Sequence, residues 1–172
     1  WYKPDAGSDW RRLAADLFPD GPLNGSVITA LVFAPDDAGT FLVGTSKQGV
    51  FLTRDGGQTF TQQQAAFDPA GSWDLRRVTV LVWNRPEALY VAIGTLDLFV
   101  SSDRAASYAR LSTLRVPLTF PTGGGEGPPV INRIVDQGGR LYVGVNSFGI
   151  YASMDGGNSW DPVAPVYKGS LY

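Results

Sequence analysis

The chain contains no cysteine and no histidine. Without thiols there is no disulfide, no thiolate nucleophile and no zinc–thiolate site. Without imidazole, the usual general base near neutral pH and the commonest metal ligand are both missing. Any catalysis would rest on carboxylates, tyrosine, lysine or serine. Charge is sparse and nearly balanced: 14 Lys and Arg stand against 16 Asp and Glu, a formal net charge of −2. That balance leaves no basic footprint for nucleic acid. No apolar run approaches the roughly eighteen residues a membrane-spanning helix needs, and "VTVLVW" (78–83) has only a strand's length. Met154 is the single methionine and residue 1 is Trp, so either a removed leader or a longer parent polypeptide is expected.

What is present is the composition of a folded protein, with 44% hydrophobic residues among 172. That length suffices for one domain with a sizeable core. The stretch "SMDGGNSW" (153–160) recurs as "TRDGGQTF" (53–60) and, more worn, as "SSDRAASY" (101–108). Extended backwards, the copies become three ungapped windows of twenty residues: 41–60, 89–108 and 141–160. Asp103 follows Asp55 by 48 positions, and Asp155 follows Asp103 by 52. A period near fifty in a strand-rich chain predicts propeller blades.

Each window reads as two strands around a tight turn, for example Phe41–Thr45 and Val50–Thr53 about Gly49. A further strand precedes each window, at 27–33, 78–84 and 130–136, ended by Pro35, Pro86 and Gly138. A short edge strand, such as "TFTQQQ" (59–64), follows each Asp motif. Four up-and-down strands make one blade. The fold expected is therefore all-β: about three blades, at approximately 26–64, 77–112 and 129–164, within a single partial propeller over 1–172. Residues 1–25 would hold an orphan outer strand (1–3), and a connecting segment with the best helix candidate at 9–18, between an Asp9 cap and Pro19.

The Asp motif has two readings, a chemical site or a turn fastener. The second is expected. An Asp side chain in a tight turn accepts from backbone N–H groups one or two residues on. Gly56, Gly57, Gly156 and Gly157 supply positive φ, and Phe60 and Trp160 pack back over the hairpin. Ala105 stands where glycine is expected, so the middle turn should be looser.

These residues resemble the Asp-box, or bacterial neuraminidase repeat, family, with pattern Ser-x-Asp-x-Gly-x-Thr/Ser-Trp. Ser153, Asp155, Gly157, Ser159 and Trp160 match in full. Thr53, Asp55, Gly57, Thr59 and Phe60 carry two conservative changes, and Ser101, Asp103, Ser107 and Tyr108 match, but Ala105 replaces the expected glycine. Sialidases, xyloglucan-degrading glycoside hydrolases, sortilin-type receptors, photosystem II assembly factors and many bacterial surface proteins share such boxes. The resemblance implies a propeller whose boxes lie on the turn between third and fourth strands, away from the usual active face. It does not fix an activity. The sialidase arginine pattern is not matched by Arg76, Arg77, Arg85, Arg133 or Arg140.

The opposite face would be built from the loops 65–76, 112–129, 46–49, 95–97 and 146–149. Candidate binding residues there are Lys47, Trp73, Asp74, Arg76, Asp97, Phe120, Glu126, Asn146 and Phe148. The aromatics would stack on sugar rings or anchor a protein, or simply cover the blade ends. Asp97, at the place of Gly49 and Gly149, suits a left-handed turn. Asp36 and Asp37 read as a solvated turn rather than a cation site. The Gly-rich "PTGGGEGPP" (121–129) lacks the strand–helix context of a phosphate loop.

The function expected is non-catalytic: an extracytoplasmic segment (secreted, periplasmic or surface) that binds protein or glycan, with no cofactor or metal. The alternative is a fragment of a glycoside hydrolase using Asp74 and Glu126, since such enzymes work with two carboxylates. Three blades do not close a ring, so the remainder of a longer propeller or a second chain is expected as partner. The longer parent is favoured, because an orphan strand has no partner in a simple two-chain ring.

Overall fold

A computed structural model describes residues 6–9, 26–67, 77–111, 114, 129–146 and 148–164. They form three four-stranded antiparallel sheets in strict up-and-down order. The first blade comprises β1 (Ile28–Ala34), β2 (Asp37–Thr45), β3 (Val50–Thr53) and β4 (Thr61–Gln62). The second comprises β5 (Val78–Arg85), β6 (Ala88–Ile93), β7 (Asp97–Ser101) and β8 (Ala109–Arg110). The third comprises β9 (Ile131–Gln137), β10 (Arg140–Val145), β11 (Gly149–Ser153) and β12 (Asp161–Ala164). The architecture is a partial β-propeller.

Two details depart from expectation. The first outer strand is only two residues long, and a one-turn helix, α1 (Gln64–Phe67), follows where a loop was expected. Phe67 drives this: its ring is buried edge-on against Phe99 of the second blade and beside Tyr108. The orphan strand and nearly all of the helix expected at 9–18 lie outside the described residues.

Register explains how blades stack. On a strand successive side chains point to opposite faces, so each sheet has two faces. In β6 the face bearing Leu89, Val91 and Ile93 meets Leu42, Val50 and Leu52 of the first blade in one core. The other face, with Ala88, Tyr90 and Ala92, meets Ile131, Ile134, Leu141, Val143 and Val145 of the third in a second core. Both faces of the middle blade are thus dry. At the first seam Gly44 is required by space: a Cβ there would lie 2.5 Å from a methyl of Val78.

Candidate functional site

Antiparallel order places the β1–β2 and β3–β4 turns, with their counterparts in the other blades, at one rim. The β2–β3 type loops and the blade-to-blade connections lie at the opposite rim.

The first rim carries the Asp motifs, and their chemistry is spent on architecture. Asp155 accepts from the N–H of Asn158 and Ser159, at 3.0 and 2.9 Å, and from the Ser159 hydroxyl at 2.6 Å. Asp55 and Asp103 do the same with Gln58 and Thr59, and with Ala106 and Ser107. The N–H donors lie three and four residues on, not one or two as expected, and they are solvent-exposed. The buried donor belongs instead to the hydroxyl that opens the motif. Ser153 Oγ accepts from the Gly157 N–H at 2.7 Å and donates to Asp155 at 2.8 Å. Thr53 and Ser101 repeat this with Gly57 and Ala105. All three hydroxyl residues are buried. Their role was missed from sequence, although a hydroxyl two positions before each Asp was the available signal.

The middle turn is not loosened by Ala105. It keeps the network, and Arg104 and Ala105 take φ of 60° and 64°. The correction is one of kind: the missing glycine appears as backbone strain rather than as lost hydrogen bonds. Hydrogen bonds from hydroxyl and N–H favour the ionised carboxylates, holding Asp103 and Asp155 down to about 2 and Asp55 lower still.

The closing aromatics behave as expected of packing groups. Phe60 meets Phe41 edge-on. Trp160 packs on the core between second and third blades. Tyr108 lies against Phe67, where burial pushes its phenol pKa up.

Charges at this rim also link blades. Arg104 reaches Asp36 of the first blade at 2.6 Å, and Arg54 of that blade donates to the Arg104 carbonyl at 2.9 Å. Arg85 of the second blade bonds Asp136 of the third at 2.6 Å, and Tyr90 and the Gly139 N–H donate to the same buried carboxylate. These partners sit 51 and 68 positions apart, with no local pattern to announce them. Asp37, which opens β2, accepts from the Gly39 N–H and the Thr40 hydroxyl. Among the described residues no group of three acids is placed to hold a metal ion.

At the opposite rim, short loops are pinned to the start of the inner strands. Ser46, Gly94 and Asn146 donate their N–H groups to the carbonyls of Val27, Arg77 and Val130. Ser46 Oγ and Asn146 Oδ1 accept in return from Val27 and Val130. Thr95 accepts from Ile131 across the blade boundary at 3.1 Å. On this frame Lys47 is exposed, while Asn146 and Phe148 are half-buried. Asp97 corrects its expectation: it opens β7 without positive φ, pairs with Arg110, and leaves the left-handed position to Gly94. Trp73, Asp74, Arg76, Phe120 and Glu126 lie outside the described residues.

No family model matches the chain. It is 24% identical over 187 aligned residues to a probable oligoxyloglucan-reducing end-specific xyloglucanase of Neosartorya fischeri. That match takes in 99% of this chain but 21% of the relative. Among solved structures it resembles the GH74 xyloglucanase of Xanthomonas campestris, with TM-score 0.59, 22% identity, and coverage of 81% of this chain and 21% of that one. It also resembles YCF48 bound to D1 peptide, with TM-score 0.57, 18% identity, and coverage of 79% and 40%. The chain thus spans well under half the length of the proteins it matches, and the structural likeness shows the propeller fold.

Proposed function

We propose that the chain is a non-catalytic propeller segment of the Asp-box class, acting outside the cytoplasm, that binds a peptide or protein at the rim opposite its Asp turns. The contrast between the rims carries this reading. At one, Asp36, Asp37, Asp55, Asp103, Asp136 and Asp155 are each engaged as acceptors within a turn or between blades. At the other, loops fixed by backbone bonds present an exposed cation, Lys47, and the half-buried Phe148 on a rigid frame. Rigid presentation of mixed aromatic and polar groups suits recognition at low entropic cost. The peptide-bound YCF48 structure gives a precedent for such a ligand on this fold. Titrating isotopically labelled chain with D1 peptide tests the proposal. Amide shifts are expected at residues 46–49, 95–97 and 146–149. Shifts confined to the Asp turns, or none at millimolar peptide, would count against it.

A second reading, a fragment of a glycoside hydrolase, is favoured by the match to the fungal xyloglucanase along 99% of this chain. Asp74 and Glu126 would be its carboxylates. They would need to stand about 5–5.5 Å apart for a retaining mechanism or about 6.5–9.5 Å for an inverting one. Release of reducing sugar from a xyloglucan oligosaccharide, lost in both Asp74→Asn and Glu126→Gln, would replace the first reading with this one.

A further inference from the structure

Charge is divided unevenly between the two rims. Beside the Asp turns the cations are engaged: Arg85 pairs with Asp136, Arg104 pairs with Asp36, and Arg54 donates to the Arg104 carbonyl. At the opposite rim acids are scarce. Among the described residues of the blades, Asp97 is the one carboxylate there, and Arg110 already occupies it. Lys47, in the β2–β3 loop, and Arg77, directly before β5, stand at the same rim. Both are exposed, and among the described residues neither has an ion pair.

The seam between first and second blades brings these two cations to one joint. The blades touch where Gly44 meets Val78. Lys47 follows Gly44 by three residues and Arg77 precedes Val78 by one. Both backbones are held: the Lys47 N–H donates to Ser26 Oγ at 3.2 Å, and the Arg77 carbonyl accepts from the Gly94 N–H at 2.7 Å. The other blades show that the scaffold does not need the charges. Thr95 and Ser147 take the place of Lys47 in the aligned windows. Val27 and Val130 take the place of Arg77, and their carbonyls accept the same loop bond. The second seam therefore has Thr95 and Val130 where the first has two cations. Like charges at one joint repel, and an anion between them reverses that cost.

We infer that Lys47 and Arg77 together bind a carboxylate at this joint, so that the ligand of the rim is an acidic peptide, an inference that rests on the peptide reading proposed above. The carboxylate comes from a Glu or Asp side chain or from a chain end, and it bridges two blades. Arg offers a planar pair of N–H donors that matches a carboxylate, and Lys adds a compact charge. Because the loop backbones are already held, binding immobilises little more than the two side chains. The uncharged second seam gives the acidic group one place to dock rather than two.

Calorimetric titration of the chain with three short peptides tests this. One carries Glu and has both ends blocked, the second has Gln in place of Glu, and the third is the Gln peptide with a free C-terminal carboxylate. The Glu peptide should bind about tenfold more tightly than the blocked Gln peptide. Its affinity should fall as salt is raised to about 0.5 M. Equal affinity of the third peptide would assign the joint to a chain end. Lys47→Gln and Arg77→Gln should each weaken the Glu peptide about two- to fivefold and leave the blocked Gln peptide unchanged. Arg140→Gln, exposed at the Asp-turn rim, should have no effect. All three positions are exposed, and circular dichroism checks folding. Equal binding of blocked Glu, blocked Gln and free-ended Gln peptides overturns the carboxylate assignment while the peptide reading stands. Equal weakening by Arg140→Gln overturns the site. Binding of oligogalacturonate instead of the Glu peptide, lost in both variants, overturns the peptide occupant in favour of an acidic glycan. No binding of any peptide at millimolar concentration overturns both readings.

Discussion

The turn of the middle blade accomplishes with Arg104 and Ala105 what the turns of its neighbours accomplish with Gly56–Gly57 and Gly156–Gly157. All six residues have positive φ, and all three turns keep the hydroxyl-to-carboxylate and carboxylate-to-backbone bonds. The comparison teaches that the buried hydroxyl and the Asp define the turn, while glycine only lowers its strain. Ala105 repays part of that strain, since its methyl is buried in the core shared by first and second blades.

The comparison breaks hardest at Gly157. Its φ is 96°, and a Cβ there would lie 2.6 Å from Leu111 of the second blade. Strain of about 1–2 kcal/mol and overpacking of about 1–3 kcal/mol combine, so Gly157→Ala should lose roughly 2–4 kcal/mol in urea unfolding. Gly156→Ala isolates the strain, because at φ 71° nothing among the described residues lies within 4 Å of the new methyl. Its loss should be about 0.5–1 kcal/mol, the strain being partly offset by a less flexible unfolded chain. Equal losses at the two positions would show that packing between blades does not reach the turn.

Ala105→Gly sharpens the comparison from the other side. Relief of about 1–2 kcal/mol of strain is opposed by a lost buried methyl, about 0.8 kcal/mol, and by about 0.4–1 kcal/mol of unfolded-chain entropy. The net change should fall within about 0.8 kcal/mol of zero by the same unfolding measurement.

Acid should have the smallest effect. The folded-state pKa of Asp103 and of Asp155 is about 2, below the ordinary 3.8. Depressed carboxylates contribute stability that is complete above the ordinary value and lost as pH falls through the folded one. The unfolding midpoint should therefore decline between about pH 4 and pH 2, modestly, because these side chains are open to water. Asp155→Asn should flatten part of that decline.

The fold was legible because its signal repeats. Strand-forming runs, breakers and the Asp motif return at 48 and 52 positions, so each copy corroborates the others. The Asp motif was legible as a fastener for the same reason, but its donors were misplaced by one turn of chain, since the hydroxyl's share was not assigned. Arg85–Asp136 and Arg104–Asp36 were illegible. They join different blades, and only stacking brings them together. Asp97 was misread because alignment preserves register but not φ, which moved to Gly94. Of the candidate face, the described residues bring together Lys47, Asn146 and Phe148 as loops of one rim, while Trp73, Asp74, Arg76, Phe120 and Glu126 lie outside them.

The claim that hydroxyl and Asp, not glycine, define these turns is tested most directly by urea unfolding of Ser101→Ala, in the Asp turn whose positive-φ positions are held by Arg104 and Ala105 rather than glycine. Ser101 Oγ is the acceptor for the buried Ala105 N–H at 2.9 Å. The account predicts a loss of about 1–3 kcal/mol, the penalty for leaving a buried donor without a partner. A midpoint unchanged from the parent would contradict it.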